Sequence, residues 1–283
     1  MALHDRDRPA AAGRHLRTSE KAVIMSGYGV NSEMETQEAL MRAGMASDIV
    51  HINDLITGRR ALSDYRLIVF PGGFSYGDDT GAGNAYANRV RNNLWDDLKD
   101  FLAGDNLILG ICNGFQILAN LGLVPAFDQD YPREIALMPN TKGVLECRFV
   151  TLKPAAENLW TRGIDHLYCP VSHGEGNFSC SEETLKSLER EGMVAFRYCR
   201  DDMSPAGGEY PYNPNGSLAD IAGITSADGR VLGLMPHPER ALEFVNLYDW
   251  PARKERLKRE GKPLPIESMN MQFFRNIVDY FEG

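Results

Sequence analysis

Apolar and polar positions fall into short blocks along this chain, and the blocks change period. "KAVIMSG" (21–27) is an apolar run closed by glycine, the pattern of a buried strand. "SEMETQEALMRAG" (32–44) follows with apolar residues at helical spacing, Ser32 as N-cap and Gly44 as stop. "SDIVHI" (47–52) and "YRLIVFPGG" (65–73) read as a second and third strand, and "NLILG" (106–110) as a fourth. One long helix is predicted over "NAYANRVRNNLWDDLKDFLAG" (84–104). Strands alternating with helices imply right-handed crossovers, hence an α/β fold with a mostly parallel central sheet and helices on both faces. The second half changes character. "LECRFVTL", "HLYCPVSHGEG", "MVAFRYC", "DIAGIT" and "RVLGLMPH" are short strand-like runs, and Asp228-Gly229 is a hairpin signal. They predict additional antiparallel strands. No internal repeat occurs. Residues 1–20 are polar and Arg-rich and read as a flexible extension. Residues 21–283 read as one domain with a helical tail from about 241, whose basic run "PARKERLKREGKPLP" is a solvated linker or helix face and whose last helix is "NMQFFRNIVDYF".

Composition narrows the function classes. The net charge of −9 makes phosphate backbones and anionic lipids poor partners, so neither nucleic acid nor membrane is expected. No run is long and apolar enough for a membrane span, and no secretory pattern opens the chain. The five scattered cysteines form no Cys-x-x-Cys pair, which fits a reducing cytoplasm and no disulfide framework. No His/Cys cluster has metal spacing, and no P-loop or complete dinucleotide fingerprint occurs.

Candidate chemistry centres on Gly110-Ile111-Cys112-Asn113-Gly114. A cysteine between glycines, after an apolar strand and before an apolar helix, has the spacing of a nucleophile elbow. Glycines relieve crowding on such a turn, and the N-terminus of the next helix favours a thiolate. A buried structural cysteine between packing glycines has the same local pattern. A nucleophile needs a base. His4 and His15 lie in the extension, and His51 and His166 sit at strand ends. His237 in "LGLMPHPER" follows an apolar strand. Pro238 biases it toward extended chain, where His237 and Glu239 share a side, as a carboxylate orienting an imidazole requires. Pro71-Gly72-Gly73, after the third strand, can turn backbone N–H groups toward a ligand and form an oxyanion hole with the N–H of Asn113.

The ordered segments "FPGGFSYGDD", "GICNGFQIL", "LECRFV", "PVSHGEGNF", "NPNGS" with "IAGI", and "GLMPHPER" together resemble the class I (triad) glutamine amidotransferases over most of residues 21–240. Phe115 before Gln116 points to the branch whose ammonia goes to formylglycinamide ribonucleotide. The resemblance implies a flavodoxin-like fold and a Cys112-His237-Glu239 triad attacking the side-chain amide of glutamine. It implies Gly73 and Asn113 as oxyanion donors, and Phe74, Gln116, His173, Gly174 and Glu175 as the substrate-binding set. It also implies a large synthetase partner carrying ATP and Mg, commonly with a small third subunit, and no cofactor on this chain. "TGAGNAYAN" after Asp79 departs from the arginine-alanine-glycine stretch of many relatives. Three other readings stay open: a different acceptor, a stand-alone cysteine hydrolase, and a non-catalytic binding subunit.

Overall fold

A computed structural model describes residues 15–283. The extension expected over 1–20 therefore lies outside the described residues up to residue 14. Arg17 is tied down: its N–H donates to the Gly44 carbonyl at 2.8 Å and its guanidinium meets Asp279 at 2.7 Å.

The first half builds β1 (Lys21–Ser26), α1 (Glu33–Ala43), β2 (Ala46–His51), α2 (Ile52–Ile56), β3 (Leu67–Phe70), α3 (Asn84–Asn93), α4 (Trp95–Ala103), β4 (Leu107–Ile111) and α5 (Asn113–Leu121). Then follow β5 (Ile135–Pro139), β6 (Glu146–Pro154), β7 (Leu167–His173), β8 (Glu175–Cys180), α6 (Glu182–Arg190), β9 (Val194–Cys199), β10 (Ile221–Thr225), β11 (Val231–Leu234), α7 (Trp250–Arg259) and α8 (Met271–Glu282).

Nine strands form one sheet in the order β2-β1-β3-β4-β11-β10-β9-β6-β7. From β2 to β11 every pairing is parallel; from β11 to β7 every pairing is antiparallel. The order 2-1-3-4 extended by β11 is flavodoxin-like. Every residue of β3, β4 and β11 is buried, as strands covered on both faces require. Helix α1 packs with α8, and α3 with α5, which lies over β3, β4 and β11. The apolar face of α8, with Met271, Phe273, Phe274, Ile277 and Val278 buried, closes the core. Gly229 turns the β10–β11 hairpin at φ 75°.

Two expectations need correction. The helix predicted over 84–104 is broken at Leu94, whose φ/ψ of −130°/11° is not helical. The Asn93 side chain donates to the Arg89 carbonyl at 2.8 Å and competes with the backbone for it, and Leu94 turns into the core. Ser32 stands at the N-cap position of α1 but does not cap it. It has φ 88°, and its hydroxyl instead accepts from Arg240 at 3.2 Å.

Helix α5 crosses the sheet unusually closely. A Cβ on Gly114 would lie 1.8 Å from the Phe70 carbonyl oxygen, inside the end of β3. Gly114→Ala must therefore push the helix off the strand. Urea unfolding should show a loss of about 3 kcal/mol or more, the upper range for overpacking. A loss under about 1 kcal/mol would mean that the helix is not held there.

Candidate active site

Strand β4 enters the elbow and α5 leaves it. Cys112 between them has φ 54° and ψ −108°, a conformation that costs a non-glycine residue about 1–3 kcal/mol. The flanking glycines explain how the turn is tolerated. A Cβ on Gly110 would sit 2.7 Å from the carbonyl carbon of Gly114, so neither glycine has room for a side chain. The turn is anchored by Phe115, Leu118 and Leu121, all fully buried, each worth about 1.5–3 kcal/mol of apolar burial. The Phe115 ring lies directly on Gly233 of β11, where a Cβ would meet its Cδ2 at 2.0 Å. Cys112 is buried at the start of α5, and its thiol reaches the Ser172 carbonyl at 3.8 Å.

His237 and Glu239 follow β11 on the sheet edge of the same site. His237 Nδ1–H donates to Glu239 Oε1 at 2.6 Å, and both side chains are buried. The contact is made across a short 3₁₀ turn, Pro238–Arg240, and not along the extended chain expected. Proline at the first position of that turn sets its φ and removes a donor the turn does not need. The His237 backbone N–H is held by the Pro170 carbonyl at 2.8 Å, which anchors His237 to β7. Burial disfavours the imidazolium, but the Glu239 carboxylate and then the Cys112 sulfur outweigh it and push His237 up to about 9. Nε2 of His237 has no hydrogen-bond partner among the described residues.

The loop after β3 closes the third side. A Cβ on Gly72 would lie 2.6 Å from Cε1 of His237 and 3.5 Å from Cβ of Cys112. Gly72 is thus the backbone against which His237 and Cys112 both rest, a role the sequence assigned no more to it than to Gly73. Gly73 has φ 142° and is pressed against residues 29–31, with a Cβ position 2.6 Å from the Gly29 carbonyl. An isolated antiparallel bridge, Val30 to Gly73, fixes its orientation. Asn113 is fully buried and ties this loop to the elbow: its Oδ1 accepts from the Ser75 N–H at 3.2 Å and its Nδ2 donates to Gln116 at 2.9 Å. The N–H groups of Gly73 and Asn113 donate to no protein acceptor among the described residues.

The expected substrate set divides. Gln116 is buried and donates to the Glu175 carbonyl, so those two are brought together. Phe74 is 47% exposed beside Gly73. Gly174 accepts from the Asn140 N–H at 2.8 Å. Glu175 accepts from the Ala82 N–H at 3.2 Å, inside the stretch "TGAGNAYAN". In that stretch Gly83 lets the chain touch α5, where a Cβ would be 2.7 Å from the Ile117 nitrogen. His173 is buried near His237; burial first and the His237 charge second push it down to about 4. Asp78 is the residue sequence reasoning missed. It lies in a run of positive φ, Tyr76 to Asp78, and touches Asn113 at 3.4 Å. Burial and then the Glu175 charge raise its carboxyl to about 6. It stands in "FPGGFSYGDD", the same segment that supplies Gly73 and Phe74.

A sheet whose parallel half ends in a cysteine elbow, with a buried histidine–glutamate pair beside it, has the layout of a cysteine-dependent acyl-transfer site. The chain matches the CobB/CobQ-like glutamine amidotransferase domain over residues 19–281, and it belongs to that family. It is 50% identical over 273 residues to phosphoribosylformylglycinamidine synthase subunit PurQ of Methanococcus maripaludis (strain C7), covering 94% of this chain and 99% of that protein. It is 41% identical over 254 residues to the protein of the same name from Treponema denticola, covering 84% and 94%. Among solved structures, PurLQS from Thermotoga maritima contains a chain that superposes with a TM-score of 0.67 at 27% identity, covering 92% of this chain and 98% of that one.

Two outcomes follow from the geometry. Gly72→Ala should displace the His237 ring and lower turnover about a hundredfold while the fold persists, since misplacement by about 1 Å can cost that much. Unchanged turnover would show that the ring is not confined there. A histidine raised above its ordinary 6.5 to about 9 adds stability that is complete below about 6.5 and is lost as pH rises through about 9. In Glu239→Gln, burial remains and the carboxylate is gone, so histidine NMR should find the His237 midpoint well below 9. A midpoint still near 9 would contradict the assignment.

Proposed function

We propose that this chain is the glutaminase subunit of phosphoribosylformylglycinamidine synthase. It releases ammonia from glutamine for a separate synthetase that uses ATP to convert formylglycinamide ribonucleotide to its amidine. The observation that carries the reading is the convergence of Cys112, His237 and Gly72 at one point, with Glu239 behind the imidazole.

In the proposed reaction the Cys112 sulfur attacks the side-chain carbonyl of glutamine, and its proton resides on His237 Nε2. The carbonyl oxygen becomes an oxyanion facing the N–H groups of Gly73 and Asn113. The C–N bond breaks as His237 returns the proton to nitrogen, and ammonia leaves a γ-glutamyl thioester on sulfur. Water then attacks, His237 takes its proton, and glutamate and the thiol are released. Glu239 keeps Nδ1 protonated and stabilises the imidazolium. Gln116, Phe74, His173, Gly174 and Glu175 border the bound glutamine. The names of the relatives, over nearly their whole length, support the acceptor, and PurLQS supports a synthetase partner and a third subunit. All five cysteines are free, and no helix among the described residues is long and apolar enough to cross a membrane.

The test is a pair of nitrogen sources. With its synthetase and ATP, Cys112→Ala should abolish glutamine-driven amidine formation and leave ammonium-driven formation intact. Glutamine-driven formation by Cys112→Ala, or no glutamate from the unaltered complex, would overturn the reading.

A further inference from the structure

Ser32 stands just before α1, where a hydroxyl ordinarily caps a helix, yet its side chain bonds no helix N–H. It is buried and sits at φ 88°, a conformation that side chains rarely adopt. Its place is fixed from both sides. The Ser32 carbonyl accepts from the Thr36 N–H at 3.1 Å and from the Thr36 hydroxyl at 2.8 Å, and the Asn31 N–H before it donates to the Gly72 carbonyl at 2.7 Å. A helix-capping group is thus turned away from its own helix and toward the turn that carries His237 and Glu239.

What the Ser32 hydroxyl meets there is one edge of the Arg240 guanidinium. Nε donates to it at 3.2 Å, and Nη2 donates to the same oxygen. Such an edge pairs side-on with a carboxylate through two parallel hydrogen bonds. A carboxylate is at hand. Oε1 of Glu239 lies 3.9 Å from Arg240 Nε, too far for a hydrogen bond, and its buried Oε2 has no hydrogen-bond partner among the described residues. The strongest pairing open to these two neighbours is therefore left unmade, and Oε1 takes the His237 Nδ1–H at 2.6 Å instead. A bidentate arginine would claim both carboxylate oxygens and compete with the imidazole for their charge. The other titratable groups facing the His237–Glu239 pair are Cys112 at the elbow and Cys169 and His173 on β7; Arg240 is the permanent cation among them.

We infer that Ser32 is a positioning residue for the reaction: its hydroxyl occupies the guanidinium edge of Arg240 and holds that arginine off Glu239, which leaves the carboxylate to His237. The inference rests on the glutaminase reading above. In that reaction His237 becomes a cation each time it takes the Cys112 proton, and its stabilisation then depends on a carboxylate not committed elsewhere. An arginine closed on Glu239 would set a fixed positive charge beside the imidazolium and weaken that stabilisation. Neither Ser32 nor Arg240 needs to touch glutamine for this, so the effect belongs to turnover and not to substrate binding.

The experiment pairs histidine NMR on the full chain with glutamine turnover by the chain and its synthetase. Ser32→Gly removes the hydroxyl and suits φ 88°, so the loop keeps its course. Arg240 is then free to close on Glu239, and the His237 midpoint should fall by about one unit. The same free energy lowers kcat about tenfold, with KM little changed. Arg240→Gln removes the competitor and should leave the midpoint no lower than in the unaltered protein. Adding Ser32→Gly to Arg240→Gln should then shift neither the midpoint nor kcat any further, the signature of two residues acting through one contact. Ser32→Ala serves the same comparison should the glycine variant not fold. A merely structural tether would lower stability and leave the midpoint in place, or would lose the same factor with and without Arg240; either result would overturn the inference while the unaltered complex still hydrolyses glutamine. An unaltered complex that releases no glutamate would overturn the glutaminase reading itself, and the inference with it.

Discussion

The carbonyl of Phe70 and the α-carbon of Gly114 touch, and the geometry of the site follows from that contact. Helix α5 can come down onto the ends of β3 and β4 only because residue 114 has no side chain, and Gly110 must be bare for the same reason. The chain then has too little room to pass from strand to helix with an ordinary conformation, and the deficit is taken up at Cys112 as φ 54°. A helix seated this low also brings Asn113 against the loop after β3, where its side chain holds Ser75 and Gln116. One close approach thereby sets the positions of Cys112, Asn113 and Gln116.

The two halves of the sheet contribute different parts. The parallel half delivers the elbow and the glycine loop at the carboxyl ends of β4 and β3, the usual place for a site in such sheets. The antiparallel half delivers the histidine: β11 carries the chain to His237, and β7 runs beside it and anchors its backbone through Pro170. Electrostatics then separates two histidines that are chemically identical. His237 has a carboxylate and a sulfur for company and is raised; His173 has only burial and a cationic neighbour and is lowered.

Much of this was legible in the sequence because the signals were short-range. Uniformly apolar runs such as "LILG" and "LIVF" betray strands covered on both faces, and glycine at two-residue spacing around Cys112 betrays the turn. The family resemblance then joined distant pieces into one site. What stayed hidden depends on contacts between segments far apart in sequence. Strand β5, "IALMP", exists only through its pairing with β8, and its proline and polar flanks gave no periodic signal. The break at Leu94 turns on an asparagine side chain competing for a carbonyl. Gly72 and Gly73 are indistinguishable as letters, yet one rests on the His237 ring and the other on residues 29–31.

The central claim is that strain and contact at the elbow make Cys112 the atom that carries the acyl group. It is tested most directly by quenching the chain with acid during glutamine turnover and mapping the adducts by mass spectrometry. The account predicts a γ-glutamyl thioester on the peptide bearing Cys112 and on no other cysteine. A γ-glutamyl group on Cys147, the exposed cysteine nearest by strand to the site, or turnover with no thioester at all, would contradict it.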